Sequence, residues 1–177
     1  MSDLLTNERA VVADFDGTLV DTHHHRLSAL RYALADHDTT IDDSWYADHC
    51  GLPIRDLLTQ LAPSDALPID EIVRASRRHL LTQPPPALIP ATTRLLQQAR
   101  DRGLPCAIAS STTQILIQHH LNTLGITGWF TTVVTTESVP RGKPAPDAYL
   151  EAARRLRIPP EQCLAITFTR RAAEELR

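Results

Sequence analysis

The stretch Val11-Val12-Ala13-Asp14-Phe15-Asp16-Gly17-Thr18-Leu19-Val20-Asp21-Thr22 decides the fold of this chain. It begins as a short apolar run typical of a strand buried on both faces, which favours a parallel sheet. Asp14 and Asp16 follow at a spacing of two, so in extended backbone both carboxylates point the same way, about 6–7 Å apart, with room for a cation and a phosphate. Gly17 allows a turn with positive φ and a close approach to a ligand. The plainer alternative is a buried strand followed by a polar turn, because Asp and Gly are common turn residues.

The composition indicates one compact domain, or one domain with a small insertion. The chain has 177 residues, of which 42% are hydrophobic and 22% charged, and a net charge of −3. That balance favours neither nucleic acid nor an anionic membrane as a partner. Cys50, Cys106 and Cys163 lack metal-type spacing, and neither a secretion signal nor a membrane-spanning run is recognisable. We therefore expect a monomeric, cytoplasmic protein that acts on a small molecule.

The residues from Asp14 to Thr22 resemble the first motif of the haloacid dehalogenase-like phosphohydrolases. Within that superfamily the chain resembles the β-phosphoglucomutase-like branch, in which a small helical cap is inserted just after the first motif. The resemblance implies an α/β fold: a three-layer, Rossmann-like core with a parallel sheet, and an inserted helical cap. We expect the core at residues 1–20 and 90–177, the cap at residues 21–89, and parallel strands near residues 10–15, 105–109, 131–135 and 163–167.

The segment that follows the first motif has the periodicity of helices. Leu27, Leu30 and Leu34 recur at helical spacing, and further amphipathic helices are predicted after Pro53 and from near Pro68. The aspartate-rich residues that precede the second of these helices are interpreted as a loop. These helices would form the cap.

Two sets of polar side chains in the cap segment are candidates for function. His23, His24 and His25 point about 100° apart on a helix and cannot converge on one metal, so they are a solvated helix start, unless one of them faces the cleft. In the resembled branch the helix that carries Arg55 faces the substrate, and the planar guanidinium suits phosphate or hydroxyl groups. A surface arginine beside Asp56 is an equally good interpretation.

The second predicted strand, within Leu104–Thr112, ends in small hydroxyl residues. Because parallel sheets bind ligands at the carboxyl ends of their strands, Ser110 falls near Asp14 if both strands belong to one sheet. The stretch resembles the superfamily's second motif, which implies that Ser110 and Ser111 hold phosphate oxygens with the amides of the following helix. Ser and Thr are also ordinary helix N-caps, and the two roles are compatible.

A lysine between Gly and Pro marks the third motif. After a third predicted strand, Gly128–Val134, comes Arg141-Gly142-Lys143-Pro144-Ala145-Pro146-Asp147-Ala148-Tyr149, with a helix expected from Pro146. The stretch resembles the third motif of the same branch. A fixed ammonium beside the two carboxylates would offset their repulsion and bind the transferring phosphoryl group. A lone lysine is normally a surface residue, but the surrounding match favours the functional interpretation of Lys143.

The resemblance also implies a mechanism. Asp14 would attack phosphorus and form a phosphoaspartate, and Asp16 would serve first as general acid and then as general base. Mg²⁺ would be the cofactor, held by Asp14 and Asp16. The phosphate-binding residues would be Gly17, Thr18, Ser110, Ser111 and Lys143.

The resemblance ends after Ile166. The family's fourth motif should place acidic residues there, whereas this chain continues Thr167-Phe168-Thr169-Arg170-Arg171. We therefore expect weak Mg²⁺ binding, unless another carboxylate such as Glu137 completes the site. We also expect a truncated or altered C-terminus, because Arg177 ends the chain before the last strand and helix of the family's core, which would leave an exposed edge strand.

Two hypotheses of different classes follow for the function. The favoured one is a Mg²⁺-dependent hydrolase that removes phosphate from a small phosphorylated metabolite of the sugar-phosphate kind, with a phosphomutase as a less favoured variant. The other is a phosphate-ester-binding protein that kept the pocket and lost the chemistry. The first is favoured because Asp14, Asp16, Ser110 and Lys143 are all present.

Overall fold

The computed structural model describes residues 4–50, 52–62 and 67–167. In chain order the elements are β1 Ala10–Ala13, α1 His23–Leu34, α2 Asp43–His49, α3 Ile54–Leu61, α4 Ile69–Leu80, α5 Pro90–Asp101, β2 Cys106–Ala109, α6 Gln114–Thr123, β3 Thr132–Val134, α7 Asp147–Leu156 and β4 Cys163–Ile166. Single 3₁₀ turns occupy Thr127–Trp129, Thr136–Ser138 and Pro160–Gln162. The predicted α/β class and the four predicted strand positions are confirmed.

Within the described residues the four strands form one parallel sheet in the order β3-β2-β1-β4. The motif-bearing strand β1 is therefore central, with Val12 paired to Ala107 of β2 and to Ala165 of β4. All four residues of β1 are buried, as expected for a parallel strand covered on both faces. Because all strands run in the same direction, the residues that follow β1 and β2 lie at the same edge of the sheet.

Helices cover both faces of the sheet, which makes three layers. Val11 packs in a cluster with Leu96 of α5 and Ile117 of α6, whereas Val12 packs on the other face with Ala148 of α7. This alternation follows from the period of two along a strand. Burial of each large apolar side chain in these clusters contributes about 1.5–3 kcal/mol, so the two layers of helices fix the position of β1.

The chain divides into two compact units, Met1–Asp21 with Pro85–Arg177, and Thr22–Pro84. The second unit contains α1 to α4 and has a core of its own, which includes Leu27, Tyr46, Leu58 and Ile72. Helices α1 and α4 pack against each other, and α3 packs on α4. The assignment of this unit as a cap stays a prediction.

Helix α2 corrects the sequence interpretation, which placed a loop there. Its start is fixed by Asp42, whose side chain accepts a hydrogen bond from Trp45 N at 2.7 Å. Trp45 also stacks on His49 one turn later, with ring centroids 4.0 Å apart. A capping carboxylate and an i, i+4 aromatic pair stabilise a short helix that has no long apolar stripe.

The third strand is also shorter than its apolar stretch suggested. Gly128 and Trp129 belong to a 3₁₀ turn, and β3 begins only at Thr132.

Among the described residues no helix is long and apolar enough to cross a membrane. The departure from the family's fourth motif is described only at Thr167, since residues 168–177 lie outside the described residues.

Candidate active site

The first motif begins where β1 ends. The backbone N–H of Asp14 still donates to the carbonyl of Ile166, at 2.9 Å, so the main chain at this residue is held by the sheet. The chain then turns at Gly17, whose φ is +67° and whose N–H donates to the carbonyl of Val20 at 2.9 Å. A side chain at Gly17 would be strained at this φ, which explains the glycine after the second aspartate. Asp16 therefore lies between two residues, Asp14 and Gly17, whose backbone N–H groups are both held by hydrogen bonds.

Lys143 lies against the first aspartate. Its Nζ is 2.7 Å from Asp14 Oδ1 and donates to the carbonyl of Ala109, at 2.9 Å, at the end of β2. The Nζ also lies 4.8 Å from the ring centroid of Tyr149, within cation–π range. The side chains of Lys143 and Asp14 are only 17% and 15% exposed. The ammonium is thus fixed at the carboxyl end of the sheet, whereas lysines are normally solvated.

The environment of Asp14 acts on its ionisation in two directions. Burial raises the pKa of Asp14, and the neighbouring Lys143 ammonium works against that rise. Asp16 adds a smaller electrostatic repulsion that also raises the pKa, whereas the hydrogen bond from Phe15 N, at 2.8 Å, lowers it. Lys143 is the main group that favours the carboxylate over the carboxylic acid here.

Asp16 is held by a residue that the sequence analysis did not select. Thr112 Oγ1 donates to Asp16 Oδ2 at 2.5 Å, and Thr112 N donates to Ser110 Oγ at 3.0 Å. Thr112 and Ser110 are both buried. The contact joins the first motif to the end of β2, so both predicted motifs meet at one edge of the sheet. The run of hydroxyl residues after β2 was the available signal, but it does not reveal which hydroxyl faces Asp16.

The other predicted phosphate ligands have different surroundings. The hydroxyl of Thr18 is buried and has no hydrogen-bond partner among the described residues, whereas Ser111 is exposed. Ser110 Oγ accepts a hydrogen bond from Thr112 N and keeps its own proton for a second acceptor. Thr18 and Ser110 are therefore hydroxyl donors suited to an anionic ligand.

Glu137, the carboxylate suggested as a substitute metal ligand, has another partner. Its Oε2 accepts a hydrogen bond from Gln114 N, at 3.1 Å, at the first turn of α6. A carboxylate is stabilised at this end of a helix by the partial positive charge of the amides. Within the described part of the chain no three His, Cys, Asp or Glu residues form a group that could hold a metal ion.

The candidate residues of the second unit make local contacts. Arg55 forms an ion pair with Asp70 of α4, and both side chains are more than half exposed. His23 has its ring centroid 5.0 Å from that of Tyr46, and His25 Nε2 lies 3.1 Å from the carbonyl oxygen of Pro84. The contacts of Arg55 agree with its interpretation as a surface residue, and its binding of substrate stays a prediction.

Two carboxylates and a fixed ammonium lie at the carboxyl end of the parallel sheet, an arrangement whose charges are suited to a phosphoryl group. The model of the haloacid dehalogenase-like hydrolases matches residues 11–167. The chain therefore belongs to the haloacid dehalogenase-like hydrolase family, and the superfamily predicted from the motifs is confirmed. Together with the phosphatases among its relatives, this membership makes the protein an enzyme of the phosphatase type.

Three similar proteins illustrate the relationship. CbbY from Cupriavidus necator is 30% identical over 185 residues, which cover 89% of this chain and 70% of the relative. Validoxylamine A 7'-phosphate phosphatase from Streptomyces hygroscopicus subsp. limoneus is 26% identical over 159 residues, which cover 88% of this chain and 75% of the relative. A crystal structure of CbbY from Rhodobacter sphaeroides in complex with xylulose-(1,5)bisphosphate has the same fold, with a TM-score of 0.81 and 24% identity. The match covers 96% of this chain and 83% of that structure's chain.

Proposed function

We propose that this protein hydrolyses the phosphate ester of a small, sugar-like metabolite through a phosphoaspartate on Asp14. The observation that carries the proposal is the contact of 2.7 Å between Lys143 Nζ and Asp14 Oδ1 at the end of β1. Structural lysines are rarely held in a nearly buried position beside a carboxylate and a strand-end carbonyl. Such an ammonium suits the charge of a phosphoryl group during transfer.

In the first half of the reaction Asp14 is the nucleophile. Its described contacts, with Lys143 and with Phe15 N, are made to Oδ1, which leaves Oδ2 to attack phosphorus. As the bond from Oδ2 to phosphorus forms, the bond from phosphorus to the ester oxygen breaks. Asp16 gives its proton to that oxygen, so the alcohol leaves neutral. Lys143 and the hydroxyls of Thr18 and Ser110 bind the phosphoryl oxygens.

In the second half a water molecule attacks the phosphoaspartate. Asp16, now a carboxylate, takes a proton from this water as the new bond to phosphorus forms. The bond between phosphorus and the oxygen of Asp14 breaks, and inorganic phosphate is released with both aspartates restored. The reaction thus proceeds by two easier displacements at phosphorus, with Asp16 as acid in the first and base in the second, in place of one difficult direct attack by water.

Magnesium is the cofactor that these carboxylates suit. Mg²⁺ prefers oxygen ligands and is commonly bound by one or two carboxylates together with substrate phosphate and water. The Asp14 carboxylate and the backbone carbonyl of Asp16 would hold the ion, which would neutralise charge on the phosphoryl group when bound. We infer that a site with these two residues alone would bind Mg²⁺ weakly, because the described residues offer no third acidic ligand.

The class of substrate is proposed from the relatives. The Rhodobacter sphaeroides CbbY structure contains a sugar bisphosphate, and the Streptomyces relative is named for a phosphorylated metabolite. Both support a small phosphorylated metabolite as the substrate of this chain. Release of inorganic phosphate distinguishes a phosphatase from a phosphomutase, which returns the phosphoryl group to a sugar.

The experiment that tests the proposal is hydrolysis of p-nitrophenyl phosphate and of a panel of sugar phosphates, with and without Mg²⁺. We expect release of inorganic phosphate by the parent protein, loss of turnover in Asp14→Asn, and severe slowing in Asp16→Asn. Asp101→Asn is the matched control, because Asp101 is an exposed aspartate in α5. Parental turnover by Asp14→Asn would refute the phosphoaspartate. Phosphate binding without turnover by the parent would favour the non-catalytic alternative.

A further inference from the structure

Thr112 makes a side-chain contact with Asp16 that joins the first motif to the residues after β2. Its Oγ1 lies 2.5 Å from Asp16 Oδ2, across 96 positions of sequence. Thr112 itself is only 7% exposed, and its backbone N–H donates to Ser110 Oγ. The hydrogen bond to Ser110 holds the backbone of Thr112 close to the end of β2, and this places its hydroxyl beside the Asp16 carboxylate.

We propose that Thr112 is a positioning residue, which orients the Asp16 carboxyl for proton transfer to the leaving group. The inference rests on the proposed function, because it needs Asp16 as the general acid. The terminal torsion of an aspartate has a broad energy minimum, so an unrestrained carboxyl group samples many orientations. The hydrogen bond from Thr112 to Oδ2 restricts this freedom and favours one direction for Oδ1. Proton transfer needs a heavy-atom distance of about 2.6–3.2 Å to the ester oxygen.

A comparison of two leaving groups tests this role. Nitrophenolate leaves readily without a proton, whereas phenolate, whose conjugate acid has a pKa near 10 like that of tyrosine, depends more on general acid catalysis. General acid–base catalysis contributes about 10²- to 10⁴-fold to a rate, and a misoriented Asp16 carboxyl group would lose part of that acceleration. We expect Thr112→Val to lower kcat/KM for phenyl phosphate about tenfold or more, and for p-nitrophenyl phosphate less than about threefold. The ratio kcat/KM is the right quantity, because it reports the step in which the ester bond breaks.

Two variants separate orientation from structural damage. Thr112→Ser keeps the hydroxyl and should restore most of the rate with phenyl phosphate. Thr113→Val is the matched control, because the neighbouring Thr113 hydroxyl is buried and has no hydrogen-bond partner among the described residues. It removes the same atoms one position later, so we expect parental kcat/KM for both substrates.

The background of Asp16→Asn gives an independent measurement. If Thr112 acts through Asp16, adding Thr112→Val to Asp16→Asn should leave the remaining rate with phenyl phosphate unchanged. Thr112→Ala serves the same comparisons should the valine variant fail to fold. A purely structural role would lower the rates with both substrates by the same factor, in both backgrounds.

The outcomes distinguish failure of this inference from failure of the proposed function. Equal losses with both substrates, or parental rates in Thr112→Val, would overturn the positioning role while a parent that needs Asp14 keeps the proposed function. No hydrolysis by the parent would overturn both. A leaving-group-dependent loss that Thr112→Ser restores would support the inference.

Discussion

Replacement of Lys143 by methionine tests the electrostatic core of the candidate site. Methionine keeps most of the length and apolar stem of lysine but removes the ammonium. The change takes away the donor to Asp14 Oδ1 at 2.7 Å and the donor to the Ala109 carbonyl at 2.9 Å. It leaves a mostly buried carboxyl group without its cation, and it removes the positive charge proposed to bind phosphate.

The expected loss of phosphate affinity follows from the strength of such a contact. Hydrogen bonds to charged groups contribute roughly 1.5–3 kcal/mol, which corresponds to about tenfold to a hundredfold in affinity. We expect inhibition by inorganic phosphate or vanadate to weaken by that factor in Lys143→Met, with a similar loss of kcat/KM. Unchanged inhibition would contradict the proposed role of Lys143 in phosphate binding.

The stability of Lys143→Met should also depend on pH. Burial raises the pKa of Asp14, so this group favours the folded state below its unfolded pKa of about 3.9, and that contribution is lost as the pH rises through the folded pKa. Without Lys143 the folded pKa rises further, so the variant should lose more stability than the parent between pH 4 and pH 7. Urea unfolding at both pH values measures the difference.

The control for this comparison is a second cation in the same loop. Arg141 pairs with Asp147 by two hydrogen bonds, at 2.8 and 2.7 Å, but its side chain is 72% exposed. We expect Arg141→Met to change both the inhibition by phosphate and the pH dependence of stability little, because the charge of an exposed guanidinium is screened by water. Equal effects of the two variants on stability and on inhibition would refute the reasoning from burial.

Three further predictions concern single side chains. Tyr149→Leu should weaken phosphate inhibition roughly five- to thirtyfold by removing the cation–π contact of about 1–2 kcal/mol with Lys143, whereas Tyr149→Phe keeps the ring and should match the parent. Hydrogen bonds from Arg154 and Arg155 lower the pKa of Glu151 to about 2, so its contribution to stability is present above the unfolded pKa of about 4.3 and lost as the pH falls towards 2. The difference in Tm between the parent and Glu151→Gln should therefore disappear in acid. Burial raises the pKa of the Cys106 thiol to about 11, so a thiol reagent at pH 8 should label it only after unfolding.

Most of the sheet could be predicted because its signals are local. Continuous apolar runs predicted β1 and β2. The contact of Lys143 with Asp14 agrees with the position that the motifs indicated for the lysine. Motif residues at strand ends are informative because the parallel sheet brings those ends together.

The elements that the sequence did not reveal depend on tertiary or capping contacts. Helix α2 needs the Asp42 side chain on Trp45 N, and a lone aspartate has many other uses in a loop. Thr112 and Ser111 are adjacent hydroxyl residues, yet only the fold shows that Thr112 is buried against Asp16 while Ser111 is exposed. Tyr149 lies within the third motif, but its place beside Lys143 depends on the packing of α7 on the sheet.

The different partners of the two motif aspartates agree with their different proposed roles. Asp14 has a cation, which stabilises only the ionised carboxylate, the form that attacks phosphorus. Asp16 accepts a hydrogen bond from the Thr112 hydroxyl, which can donate to a carboxylate or accept from a carboxylic acid. An acid–base group must exchange its proton twice in each turnover, so a neutral partner that tolerates both forms suits it better than a second lysine would. Replacing Thr112 by lysine should therefore favour the carboxylate form of Asp16 and slow the step in which it donates a proton, even if the carboxyl group stays in place.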